Sequence, residues 1–271
     1  MEWINKKTVL VTGASSGIGK EVADILVRQH GCNVIAIGQS EEKLQRAKLS
    51  LTYMQDRFHC YAFDISVEEE WNNIARQLQD KFGKIDLIVN CAGMLPIINR
   101  INMYNDQLIS ECMGVNFNSM TYMVRTMIPL LRQSNMYGIF NVVSSDAFLP
   151  IIGNSIHGAS QAARLSYAKS LVAELGREMY VGYAVVGRCK TNFLRYQFGG
   201  KDNNTNKYFK KSPADVAATI VKTIQKQHTR ALIGGDTKRM YYMSKFFPTL
   251  SIKLYEIRVK HIKLRMLDNI K

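Results

Sequence analysis

Val9-Leu10-Val11-Thr12-Gly13-Ala14-Ser15-Ser16-Gly17-Ile18-Gly19 is the stretch from which the fold is read. Its apolar, partly β-branched beginning, from Thr8 to Val11, has the composition of a short buried strand. Behind the glycines, Ile18, Val22, Ile25 and Leu26 fall on one face of a helix. Strand, glycine-rich turn and helix start together make a phosphate-binding βα unit. Gly13 lets the chain turn sharply, Gly17 lets phosphates approach the backbone, and Gly19 lets helix and strand pack closely. Ser15, Ser16 and Ile18 complete the turn, and the free N–H groups of the helix start face a pyrophosphate. The spacing is Gly-x-x-x-Gly-x-Gly, not the commoner Gly-x-Gly-x-x-Gly.

Outward from that unit, strand and helix patterns alternate. Strands are expected at residues 33–37, 59–63, 85–89, 139–143, 181–186 and 230–233, with helices between them, including long ones over 106–131 and 157–177. Gly31 closes the first helix, Ser66 is placed to cap the third, and Ser212-Pro213 opens a later one. Repeated alternation predicts a doubly wound (Rossmann) parallel α/β sheet of about seven strands with helices on both faces. Residues 1–236 form one such domain, with a substrate lid at 192–211 and a basic amphipathic extension of the same domain at 237–271. At 271 residues and 46% hydrophobic content, the chain can bury a full core. Five scattered cysteines without a Cys-x-x-Cys pair read as reduced thiols, and five histidines without ligand spacing predict no metal site. No secretory leader and no membrane-spanning run is expected, which places the chain in the cytoplasm.

In a doubly wound sheet the ligand sits beyond the carboxyl ends of the strands. At the end of the second strand stand Gly38, Gln39 and Ser40, with Lys43 one turn on. No carboxylate occupies the place that would meet a ribose 2′-hydroxyl, and Ser15, Gln39, Ser40 and Lys43 can contact a 2′-phosphate. NADP(H) is therefore favoured over NAD(H).

With these residues the chain resembles the short-chain dehydrogenase/reductase family over nearly its full length. The segment Thr12 to Gly19 matches that family's cofactor motif, and Asp64, beside Ile65, matches the residue that meets the adenine ring. Asn90-Cys91-Ala92-Gly93 matches an Asn-Asn-Ala-Gly motif with one substitution, Asn116 a helix asparagine, Ser144-Ser145 a serine pair, and Thr191 a threonine near the nicotinamide carboxamide. The resemblance implies a catalytic tyrosine and a lysine four residues on, a serine that holds the substrate oxygen, and an asparagine that serves the proton relay. It further implies a homo-oligomer, a dimer or tetramer.

The chain departs from that pattern at its centre. His157-Gly158-Ala159-Ser160-Gln161 stands where Tyr-x-Ala-Ser-Lys is expected, and the Ala-Ser pair fixes the register. Tyr167 and Lys169 are two apart and do not share a helix face. His157 and Gln161 do share one, so both are expected to point at the nicotinamide. An imidazolium is a competent general acid near neutral pH, and replacing the lysine by neutral Gln161 removes a like-charge penalty. Gln161 can hydrogen-bond ribose hydroxyls, and Asp146 favours the charged imidazole if it faces inward. Ser145, His157, Gln161 and Asn116 are the expected catalytic set, acting on a hydrophobic ketone or secondary alcohol. Two other readings stay open: a catalytically inactive cofactor-binding pseudoenzyme that acts through a partner, and a redox-neutral dehydratase or cyclase in the same pocket.

The net charge is +14, and nine basic residues against two acidic ones between 238 and 271 account for half of it. Tyr255, Val259, Ile262 and Met266 form a stripe at helical spacing. A basic amphipathic helix of this kind lies on an anionic bilayer, which would make the protein peripheral to a membrane. Alternatively the stripe covers the substrate pocket or forms a dimer contact. No nucleic-acid motif accompanies the charge.

Overall fold

Seven short strands, buried in the centre and partly exposed at the two edges, form the sheet: β1 (Thr8–Thr12), β2 (Asn33–Gly38), β3 (Phe58–Ala62), β4 (Leu87–Asn90), β5 (Gly138–Ser144), β6 (Tyr180–Val186) and β7 (Arg230–Ile233). In the computed structural model, which describes residues 3–97, 99, 101–149, 152–190 and 211–261, they lie in the order β3-β2-β1-β4-β5-β6-β7. Every adjacent pair is parallel. β1 is buried along its whole length, as a central strand covered on both faces must be. Successive residues of a strand point to opposite faces, so Val9 and Val11 enter one core while Leu10 enters the other.

The first core is closed by α1 (Gly17–His30), α2 (Glu41–Leu49) and the helix Pro213–Gln225, labelled α7. The second is closed by α3 (Glu68–Phe82), α5 (Ser119–Leu131) and α6 (Ser155–Leu175), with Trp71, Leu78, Met120, Met123 and Leu165 among its members. α4 (Asp106–Met113) precedes α5, and α8 (Gly235–Phe246) and α9 (Pro248–His261) follow β7. Gly31 ends α1 in the left-handed conformation at φ 59°, and Ser212 with Asp215 forms a capping box at the start of α7.

Two local expectations are overturned. Ser66 does not cap α3. Its hydroxyl and its N–H both donate to Asp64 Oδ1, at 2.7 and 2.9 Å, and Val67 takes the cap position without a side-chain bond. The carboxylate two residues earlier is the stronger acceptor and claims the serine for its own turn. Nor is 106–131 one helix. Gly114–Asn118 is a π-helical turn between α4 and α5, and the extra residue it takes in turns Asn116 fully into the protein. Apolar periodicity passes through such a turn unchanged, so the sequence does not reveal it.

The edge of the sheet opposite the strand ends is tied by Asp86. Its carboxylate accepts from Thr8 N at 2.8 Å, from Ser134 Oγ and from Lys7 Nζ at 3.1 Å. Desolvation pushes this carboxyl up, but the bonds from Ser134, Thr8 and Lys7 outweigh it and hold the group below the ordinary carboxylate value. A depressed folded-state value means a contribution that is complete above the unfolded value and lost as pH falls through the folded one. Asp86→Asn should therefore cost about 2 kcal/mol at neutral pH. Denaturant unfolding should show the gap from wild type closing as pH falls below about 4.

Candidate dinucleotide and active site

The candidate site residues named from the sequence that the structure describes lie along the carboxyl-end edge, where the chain leaving β1 goes to one face of the sheet and that leaving β4 goes to the other. Thr191 and the lid at 192–211 fall outside the described residues, apart from Lys211 at the lid's last position. Gly13 and Gly17 take φ 69° and 56°, in the left-handed region that favours glycine. A Cβ on Gly13 would come within 3.0 Å of the Ala92 Cα, and one on Gly19 within 2.4 Å of the Gly13 carbonyl oxygen. Ala14 N donates to Ile37 O at 3.1 Å, and Gly38 leaves room for Ser15, whose Oγ would lie 3.2 Å from a Cβ there. Ser16, exposed and extended, begins α1 without a side-chain cap, and the first turn of α1, which includes Ile18, carries no acid. The result is a narrow backbone cradle with free helix N–H groups and no competing anion, a fit for a dinucleotide pyrophosphate.

At the end of β2, Gln39 is exposed and Ser40 caps α2 by accepting from Lys43 N. Glu41 and Glu42 follow, but Glu41 accepts from Gln45 and Glu42 pairs with Arg46, so both are drawn down the helix. At the end of β3, Asp64 is exposed with Oδ1 engaged by Ser66, and Ile65 packs on the second core.

At the end of β4, Asn90 is buried and accepts from Thr12 Oγ1 at 2.7 Å, while Thr12 Oγ1 accepts from the N–H groups of Cys91 and Ala92. Asn116 Oδ1 accepts from Met94 N at 2.7 Å, and its Nδ2 donates to Met94 O and to Ser160 Oγ, both at 2.9 Å. Gly93 lies against that asparagine, 3.3 Å from Oδ1 to a Cβ placed there.

His157 is 3% exposed. Its Nδ1 stands 2.9 Å from Met94 O, a distance that calls for Nδ1–H and leaves Nε2 as the basic nitrogen. Nε2 faces Asp146 Oδ2 at 3.7 Å, so Asp146 does point inward. Asn154 Nδ2 donates to the same carboxyl oxygen at 3.4 Å. Burial drives the His157 imidazole down to about 4, and Arg164 adds to the effect while the Met94 carbonyl opposes it. The imidazolium expected at neutral pH is thus corrected: the ring is neutral there because desolvation outweighs its partners. Burial likewise raises the Asp146 carboxyl to about 6, against the pull of Arg188, Ser144 and Asn154. A basic nitrogen and a carboxyl oxygen thus face each other, just beyond hydrogen-bond distance.

Gln161 is also buried, and its Oε1 accepts from Ser144 N at 2.9 Å, so that oxygen holds the end of β5 and is not available to a ribose. Ser145 begins a single 3₁₀ turn after β5 and is 3% exposed. The site also contains Met94, Asn154 and above all Arg164, to which no motif in the sequence points. Its signal was spacing: 157, 161 and 164 recur on one helical face.

Comparison with known proteins gives one family. Residues 7–201 match the family profile described as short chain dehydrogenase. An uncharacterized oxidoreductase of Staphylococcus epidermidis is 29% identical over 177 residues, 65% of this chain and 75% of its own. Among solved structures, a short chain dehydrogenase from Burkholderia cenocepacia J2315 in complex with NADP superposes with a TM-score of 0.77 at 20% identity, over 93% of this chain and 98% of that one. The closed form of a serine dehydrogenase complexed with NADP+ gives 0.74 at 24% identity, over 83% and 93%.

The raised Asp146 value carries a sign opposite to that of Asp86. The folded state holds this proton more tightly than the unfolded one, so ionisation costs stability as pH rises from about 4 to about 6. Asp146→Asn removes that cost. Its melting temperature relative to wild type should climb between pH 4.5 and 7, by the equivalent of up to about 3 kcal/mol. The His157 contribution, lost as pH falls from about 6.5 towards 4, is present in both proteins. A difference that stays flat across this range would show that Asp146 is not desolvated.

Proposed function

The chain belongs to the short-chain dehydrogenase family, and from that membership we propose that it is an NADP(H)-binding oxidoreductase interconverting a hydrophobic ketone and its secondary alcohol. The observation that carries this reading is the side-chain-free cradle where Gly13 meets Ala92 and Gly19 meets Gly13. Gly13, Ser15, Ser16, Gly17, Ile18 and Gly19 hold the pyrophosphate, Asp64 and Ile65 flank the adenine, and Asn90, Ala92 and Gly93 back the nicotinamide half. Preference for the 2′-phosphate is supported by Gln39 and Lys43 beside a β2 end without a facing acid, and by the NADP in the two similar structures. A bound reduced nicotinamide supplies the hydride. Ser145 donates a hydrogen bond to the substrate oxygen, and the Asp146–His157 pair, backed by Asn116 through Met94, delivers the proton in place of a tyrosine. A hydrophobic substrate is supported by Ile97, Ile101, Met103 and Ile152, all exposed on the loops that follow β4 and β5 at the same edge.

The test combines binding with turnover. NADPH is expected to raise the melting temperature, and NADPH with acetophenone, cyclohexanone and a steroid ketone is expected to show nicotinamide oxidation. Ser145→Ala and His157→Ala should each lower the rate by about 100-fold or more. A protein stabilised by NADPH that reduces none of these ketones would instead be a non-catalytic binder.

A second reading is carried by the C-terminal helices. No helix among the described residues is long and apolar enough to cross a membrane. Yet Tyr242, Phe246, Phe247, Leu250, Ile252 and Leu254 are all exposed, among the exposed cations Lys238, Arg239, Lys245 and Lys253. The expected amphipathic division is not seen in residues 248–254, where Ser251 is the buried residue and Ile252, Lys253 and Leu254 all face outward. Of the expected stripe, Ile262 and Met266 lie outside the described residues, as do the side chains of Tyr255 and Val259. Aromatic and basic side chains exposed together suit an anionic bilayer surface. Truncation is a poor test, because Tyr241 of α8 packs edge-on against Phe148 beside Ser145. Phe246→Glu with Phe247→Glu avoids that contact. This double variant should lose the salt-sensitive co-sedimentation with phosphatidylserine vesicles expected of the wild type; equal partitioning of the two would remove the membrane from consideration.

A further inference from the structure

Arg164 is a charged member of the α6 site face that the chemistry above leaves unused. It is 1% exposed, yet no carboxylate pairs with it among the described residues. Its guanidinium spends its donors on main-chain carbonyls: Nη1 to Ala92 O at 2.6 Å and to Asn116 O at 3.4 Å, and Nη2 to Asn90 O at 3.0 Å. Nε is buried without a partner. Desolvation draws the group down to about 10, which leaves it charged at neutral pH, and the neighbouring Cys91 thiol, pushed up to about 12 by burial, offers no anion.

A buried, unpaired cation is expensive, and a well-packed apolar side chain is often the more stable choice at such a site. What the charge does here is set by what it grips. Asn90 O and Ala92 O belong to the turn whose other side touches Gly13, and Asn116 O belongs to the π-helical turn that holds Met94 and, through it, His157. The guanidinium fork therefore adds a charged, main-chain tie between two turns that the Asn116 side chain already joins through Met94. It does so from residue 164, one helical turn beyond Gln161, where the family resemblance places a lysine.

We propose that Arg164 is a positioning residue for the nicotinamide-ribose end of the dinucleotide site, restoring from one turn away the fixed positive charge that glutamine at 161 removes. The proposal rests on the dinucleotide-binding reading above. A planar, bidentate group suits this task better than an ammonium, because it must hold several carbonyls at once.

The test uses the adenosine half of the cofactor as an internal control. Dissociation constants for NADPH and for adenosine 2′,5′-bisphosphate are measured by calorimetry on the wild type, Arg164→Met and Arg164→Lys. The proposal expects wild type to bind NADPH more tightly than the bisphosphate. Arg164→Met should lose about tenfold or more towards NADPH with the bisphosphate unchanged, and Arg164→Lys should recover part of the loss. If Arg164→Met does not fold, Arg164→Lys decides by the same split. Parallel loss of both ligands in the variants would show a purely structural arginine and overturn the proposal. So would unchanged NADPH affinity, or a wild type that binds both ligands equally. A wild type that binds neither NADPH nor NADH would instead remove the dinucleotide reading itself.

Discussion

Thr12 is the point at which the two halves of the sheet are fastened. Its hydroxyl donates to Asn90 Oδ1 and accepts from two consecutive N–H groups of the following turn, so β1 and β4 end at one fixed depth. The same register appears in the ladder, where Thr12 lies opposite Asn90. Parallel neighbours can be joined only through distant crossovers, and nothing local in the chain would otherwise hold these two turns together. Once they are held, Gly13 must pass against Ala92 and α1 must start against Gly13, which is why neither glycine tolerates a Cβ. The crevice is the space left when strands on either side of this junction send their helices to opposite faces.

The charges of the two sheet edges behave in opposite ways. At the amino-end edge Asp86 is given a donor for each need and sits below its ordinary value. At the carboxyl-end edge burial prevails: the Asp146 carboxyl is raised, and His157 and Arg164 are lowered. Groups whose charged forms are disfavoured in this way reduce stability where they stand, and the meeting of a carboxyl, an imidazole and a guanidinium so shifted at one end of the sheet singles out that patch as a candidate site. The two chemistries share one scaffold because the strands between them are fully buried and keep the edges apart.

Much of this was legible in the sequence because it is local. Gly31 in the left-handed region and the Ser212–Asp215 capping box each depend on residues a few positions apart. The residues at the strand ends were legible for a different reason, since the fold class dictates where ligands bind and hence which positions to read. What the sequence hid required knowledge of competing partners. Ser66 caps nothing because Asp64 takes its hydroxyl, and Gln161 loses its oxygen to the backbone of Ser144. The protonation expected of His157 fails for a related reason: Asp146 is legible as its neighbour, but Arg164 and the depth of its burial are not. Arg164 went unseen because a charged residue in a helix is usually a solvated one.

The three unusual residues of α6 make sense only together. A lysine at 161 would stand one turn from Arg164 in the same buried face, and two desolvated cations at that spacing repel strongly. Gln161 is neutral and gives Ser144 N an acceptor, which an ammonium cannot do. Arg164 in turn disfavours an imidazolium at His157, and a neutral His157 turns a basic Nε2 towards Asp146, whose carboxyl carries a proton to donate only below about pH 6. In the proposed reaction, the proton that a phenol would carry would come instead from the turn after β5, beside Ser145. Exchange of Gln161 alone leaves either a pair of buried cations or an unbonded strand end, and exchange of His157 alone leaves the Asp146 carboxyl without the nitrogen it faces.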